Sequence, residues 1–156
     1  MAQRSRDGTP RLEPRTPGTL SEYQQTIARF LDQKAHAFLI VDAANDRPIG
    51  WCALFVTDMP NRRALLSALI GEKEYWGKGF GEDALRALLR YGFHIVNLNS
   101  IELVVHDDNP RAQRCYEKLG FRVVGRRRQA RILGSRRLDV LIMDLLAEEF
   151  TEPVSI

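Results

Sequence analysis

Alternating apolar and polar positions divide the chain into short strands and three helices. The first helical stripe is Tyr23, Ile27, Phe30 and Leu31, and Ser21 with Gln24 three residues later has capping-box spacing. Ala37–Asp42 is a short apolar strand, Asn45-Asp46 turns the chain into Ile49–Asp58, and Pro60-Asn61 turns it again into Arg63–Ile70. These three predict an antiparallel meander. A second stripe of Leu85, Leu88, Leu89, Gly92 and Ile95-Val96 follows the run Gly77-Lys78-Gly79-Phe80-Gly81. Ile101–Val105 reads as a buried strand. Asn109 as N-cap, Pro110 at the first helical position and Gly120 at the C-terminal end frame a third helix. Its stripe is Ala112, Cys115, Tyr116 and Leu119. Phe121–Arg128 and Leu138–Leu145 complete the pattern as two more strands. A meander followed by strand–helix–strand–helix–strand–strand order predicts an α+β fold with a mixed central β-sheet flanked by helices.

Residues 1–18 hold three prolines and two glycines and read as a loose arm, with a strand near Arg11-Leu12. Residues 19–150 are expected to form a single domain and 151–156 a tail. The 156 residues are 44% hydrophobic and 28% charged, which excludes a disordered chain and a coiled coil. The only cysteines are Cys52 and Cys115, too few for a disulfide scaffold, and two thiols suit a reducing compartment. With no apolar leader and no run long enough to span a bilayer, the expected location is cytoplasmic, without membrane association. Asp107-Asp108-Asn109 lacks the glycine and distal glutamate of a calcium loop, and His36, His94 and His106 are scattered, so no metal is expected. Cys115, on an apolar stripe, is expected to be buried and inert.

Charge is unevenly placed. Seven arginines and no acid lie between Arg122 and Arg137, and with a net charge of +3 the rest of the chain sums to −4. These arginines are either the outward positions of an amphipathic hairpin or a patch that meets phosphate on RNA, a ribosome or a cofactor.

Glycines at 77, 79 and 81 before a helix offer backbone N–H groups at the positive end of a helix dipole, a setting that holds phosphate. The Walker pattern fails, because Gly77-Lys78 is followed by Gly79 rather than Ser or Thr. A dinucleotide fingerprint, Gly79-x-Gly81-x-x-Ala84 with Glu102 beyond, fails on context: six residues separate Ile70 from Gly77.

The run from Tyr75 to Ala84 (YWGKGFGEDA) resembles the acetyl-CoA pyrophosphate loop of the GNAT superfamily of N-acetyltransferases, and Asn109 to Phe121 (NPRAQRCYEKLGF) is similar to its second signature. The tail, from Gly134 through Asp139 to Glu148-Glu149-Phe150, resembles the branch of ribosomal-protein and polyamine acetyltransferases. The resemblance covers roughly residues 37–150. It implies a GNAT fold in which splayed parallel strands, here Arg63–Ile70 and Ile101–Val105, hold acetyl-CoA. The backbone of Ala68, Leu69 and Ile70 would then bind the pantetheine arm like an added strand. The amides of Trp76, Gly77, Lys78, Gly79, Phe80 and Gly81 would hold the pyrophosphate, and Asn109 would touch the cofactor. A backbone amide near Leu69–Ile70 would polarise the thioester carbonyl.

An amine would attack directly while Tyr116 protonated the departing thiolate. A phenol with pKa near ~10 stays protonated at neutral pH and can do this. Glu72 is the first choice of general base, with Glu74, His106 and a water relay as alternatives. A protein N-terminal amine is about one-tenth neutral at neutral pH, whereas a lysine or polyamine amine costs about 4.6 kcal/mol to deprotonate. The lack of an unambiguous base therefore favours the N-terminal amine. A cationic small-molecule acceptor would instead use Asp58, Glu72, Glu74, Asp107 and Asp108.

Three features depart from the family pattern. Trp76 stands where Gln or Arg is usual, Glu82 where a small hydroxyl residue is common, and the amino-terminal part is short. The resemblance thus implies an acetyl-CoA-dependent N-acetyltransferase acting on a protein N-terminus or a small amine, with a homodimer compatible with it. A catalytically silent CoA-binding domain and an RNA- or ribosome-binding module through Arg122–Arg137 are the alternatives.

Overall fold

The computed structural model describes residues 19–152, so the arm and the strand near Arg11-Leu12 lie outside the described residues. Helix α1 (Leu20–Asp32) begins two residues earlier than expected. Thr19 and Glu22, not Ser21 and Gln24, form the capping box: the Glu22 amide donates to Thr19 Oγ1 (3.3 Å) and Glu22 Oε2 accepts from the Thr19 amide (2.6 Å). A carboxylate in the first turn also complements the helix dipole, which the Gln24 amide cannot. Tyr23 is buried, but Leu31 is 56% exposed and leaves the stripe.

Strands β1 (His36–Asp42), β2 (Arg47–Asp58) and β3 (Arg63–Ile70) form the expected antiparallel meander. Helix α2 (Phe80–Arg90) runs into a wider π turn over Tyr91–Ile95. The extra residue per turn shifts the phase of the stripe, so Ile95 is 69% exposed while Val96 still packs on the core. Strand β4 (Ser100–His106) and helix α3 (Pro110–Lys118) follow, with Asn109 as N-cap and Gly120 in the left-handed region at φ 99°. Strands β5 (Arg122–Leu133) and β6 (Arg136–Leu146) extend further than their apolar positions suggested. β5 is an edge strand exposed along most of its length, so arginines and apolar residues serve it equally well. It carries a bulge between Arg127 and Arg131.

The six strands lie in the order β1-β2-β3-β4-β6-β5, and only β3 and β4 run parallel. The main core packs α2 and α3 on one face, around Leu54, Leu89, Ile101, Leu103, Met143 and Leu145. Beneath α1 on the other face lies a smaller cluster of Tyr23, Trp51 and Ala53, joined by Ile27, Phe30, Phe55 and Leu69. Beyond the expected domain boundary, Glu152 is ion-paired with Arg86 and Arg90 of α2. No helix among the described residues is long and apolar enough to cross a membrane.

Candidate active site

The site begins where β3 and β4 part. Their parallel register holds for Arg63↔Ser100, Ala64↔Ile101 and Leu65↔Glu102 and then stops. Beyond it β3 stays paired with β2 as far as Ile70↔Gly50, and β4 stays paired with β6 as far as His106↔Val140. Between them is a wedge edged by main chain. Side chains along β3 alternate: Ala68 and Ile70 pack against the main core and Leu69 against the α1 cluster. The inner edge of β3 is therefore left to its peptide groups, which an extended ligand can pair as an added strand.

One close approach sets the position of that edge. A Cβ on Gly50 would lie 2.0 Å from the Leu69 carbonyl oxygen, so β2 can run this near β3 only with glycine there. An isolated glycine inside an apolar strand is a legible signal of such an approach. Its importance here comes from the Leu69 backbone it supports.

After β3 the chain makes a tight 3-10 turn (Lys73–Tyr75) and enters the glycine loop. The Trp76 indole Nε1 donates to the Ile70 carbonyl (2.8 Å), and the Arg111 guanidinium of α3 lies 4.0 Å over its ring. Trp76 thereby ties the end of β3 to α3, work that a Gln or Arg at this position would do differently. The Tyr75 hydroxyl donates to Asp42 (3.0 Å) and its ring meets Phe80 edge-on. Gly77 and Gly79 have φ of 71° and 89°, and no side chain caps α2. The first amides of α2 are thus left to an anion. Glu82 in the first turn opposes an anion less than its charge suggests. Its carboxylate bonds Arg86 (2.8 Å), which also holds it below the usual carboxylate range.

Asn109 caps α3 by accepting the Ala112 amide on Oδ1 (3.2 Å), which leaves its Nδ2 available to a ligand. Burial, and secondarily Cys115, pushes the Tyr116 phenol up to about 12. Its hydroxyl has no partner among the described residues. Burial likewise raises the thiols of Cys115 and of Cys52, the latter to about 11, as inert cysteines require.

Glu72 is buried and its carboxylate bonds Arg47 Nη2 at 3.0 Å; Glu74 pairs with the other end of the same guanidinium. Neither Arg47 nor Arg111 is legible in the sequence as a site residue, because both act across long separations in the chain. Among the described residues no group of three or more His, Cys, Asp or Glu could hold a metal.

The arginines of the β5–β6 hairpin divide into two groups. Arg126 pairs with Asp139 (2.9 Å) and Asp107 (3.5 Å), Arg136 with Asp108 (3.3 Å) and Arg122 with Glu149 (3.0 Å). Arg127, Arg128, Arg131 and Arg137 form no ion pair among the described residues, although Arg128 lies near enough to Asp139 to help lower its carboxyl.

Comparison with known proteins agrees with this geometry. Residues 2–122 match the family model of the acetyltransferase (GNAT) domain. The chain is 33% identical to the uncharacterized N-acetyltransferase p20 of Bacillus licheniformis over 77% of its own length and 67% of that protein's. It is 37% identical to the probable N-acetyltransferase YjcK of Bacillus subtilis, of which it spans 57%. A spermidine N-acetyltransferase from Vibrio cholerae, solved with CoA and spermine, superposes with a TM-score of 0.73 at 28% identity, over 86% of this chain and 79% of that one. A wedge between parallel strands, an uncapped helix start beside it and these likenesses agree: the chain belongs to the GNAT family, N-acetyltransferases that move an acetyl group from acetyl-CoA to an amine.

Proposed function

We propose that this protein acetylates a polyamine-like acceptor, and that its donor lies in the wedge with its pyrophosphate on the amides of Trp76 to Gly81. The pantetheine arm pairs with Ala68, Leu69 and Ile70, and Asn109 touches the cofactor. The acceptor amine attacks the thioester carbon from the α1 face. A nitrogen–carbon bond forms, the carbon–sulfur bond breaks, the amine proton goes to a base and the Tyr116 phenol gives its proton to the thiolate sulfur.

The observation that carries the polyamine reading is the open sheet face beside the wedge. Glu102, the last β4 residue paired with β3, stands directly opposite Asp144 of β6. Facing like charges repel across a strand pair; Arg63 (3.8 Å from Glu102) and Arg122 near Asp144 offset part of that repulsion, and a cationic acceptor placed between the carboxylates adds to it. The Asp144 carboxyl is accordingly held above the usual range by burial, then by Glu149 and Glu102. The similarity to spermidine acetyltransferases points the same way.

The experiment is a comparison of kcat/KM for spermidine, spermine and a short peptide with a free N-terminus. Polyamines are expected to exceed the peptide by at least about tenfold, roughly 1.4 kcal/mol of transition-state preference. The reverse order would return the reading to a protein N-terminus, which the four arginines outside ion pairs favour as a surface for a phosphate-rich partner such as a ribosome.

A further inference from the structure

We propose that His106 is the general base that takes the proton from the attacking amine. This rests on the acetyl-transfer reading above. Three side chains near the wedge have the chemistry for a base: Glu72, Glu74 and His106. The two glutamates share the Arg47 guanidinium at the pyrophosphate end of β3. Each carboxylate thus already has a cationic partner at that end of the wedge.

His106 is differently placed. It is the last residue of β4, in the stretch that has left β3 and is held only by β6. Its main chain is fixed on several sides. It pairs with Val140, and its carbonyl accepts the Asn109 amide (3.0 Å) and Gln113 Nε2 (3.3 Å). The ring is unengaged. Nδ1 is buried without a hydrogen-bond partner, and no described residue makes a hydrogen bond, ion pair or aromatic-ring contact to the imidazole. The nearby charges are committed elsewhere: Asp107 and Asp139 to Arg126, and Asp108 to Arg136. A neutral imidazole keeps one ring nitrogen as an acceptor, and here nothing in the protein uses it.

The face is also correct. Ile101, Leu103 and Val105 point into the main core, so alternation puts Glu102, Val104 and His106 on the opposite, acceptor face. Tyr116 belongs to the main-core side with α3. Base and acid therefore approach the wedge from opposite faces, so the proton taken from the amine and the proton given to sulfur are handled by separate groups. The amine proton passes to a ring nitrogen as the nitrogen–carbon bond forms, and the Tyr116 proton passes to sulfur as the carbon–sulfur bond breaks.

The test measures turnover and acetyl-CoA affinity for wild type, His106→Gln and His106→Gly, the last with and without added imidazole. Expected are an active wild type, a loss of about 100-fold or more in kcat for both variants, and unchanged acetyl-CoA affinity. Imidazole should restore His106→Gly several-fold and leave His106→Gln unaffected. In the CoA complex, spermine should shift the His106 ring-proton resonances. Variants within threefold of wild type, a loss that imidazole does not relieve, or unmoved ring resonances would overturn the assignment of His106 alone. A wild type that binds acetyl-CoA but acetylates no amine would overturn the transfer reading together with it.

Discussion

Tyr116 has two properties that pull in opposite directions. Burial raises its phenol to about 12, which makes it a weaker acid than an ordinary tyrosine, yet keeps the proton in place at neutral pH for the role proposed above. Because the phenol stays protonated until the pH approaches that raised value, turnover should show no loss near pH ~10, where an ordinary tyrosine titrates. A fall centred there would show that the phenol is not shielded in solution. Tyr116→Phe should lower kcat by roughly 100-fold while calorimetry finds acetyl-CoA bound as tightly as before. Equal loss of binding would make Tyr116 a packing residue. The motif from Asn109 to Phe121 made Tyr116 a candidate in the sequence. The state of its proton was not legible there, because that depends on burial by residues distant in the chain. The same holds for Glu72, a free carboxylate in the sequence and an arginine's partner in the fold.

Among elements, the strand pair β2–β3 shows how a residue far from the chemistry sets it. A methyl group on Gly50 would meet the Leu69 carbonyl and move the edge proposed to receive the pantetheine. Gly50→Ala should cost about 2 kcal/mol in denaturant unfolding and weaken acetyl-CoA binding at the same time. If stability fell while affinity held, the Leu69 backbone would not be part of the site. The meander was legible because apolar runs and turn residues mark it locally. The boundaries of α1 and β5 were less so. Two capping-box spacings overlap at the start of α1, and the carboxylate prevails. On β5 an edge strand imposes no alternation, so the apolar pattern ends the strand at Arg128 although it runs on to Leu133.

In the whole molecule, the sheet carries a cluster on each face. The proposed donor side is built on the main core, with α2 and α3. On the α1 side the cluster is small, and Phe30 joins it edge-on to Trp51 (4.7 Å) and Phe55 (5.0 Å). Phe30→Ala should cost about 2 kcal/mol and raise the acceptor KM several-fold, with the acetyl-CoA affinity unchanged. Parallel loss of both affinities would mean that the faces are not independent. By itself the sequence determined the order and type of the elements, the glycine loop and the family, since each rests on neighbours a few residues apart and on backbone angles that only certain residues adopt. Only the tertiary structure decided where β3 and β4 separate, that Arg47 takes up Glu72 and Glu74, and that His106 is left without a partner. Those facts depend on hydrogen bonds and charges between residues far apart in the chain, which no local pattern encodes.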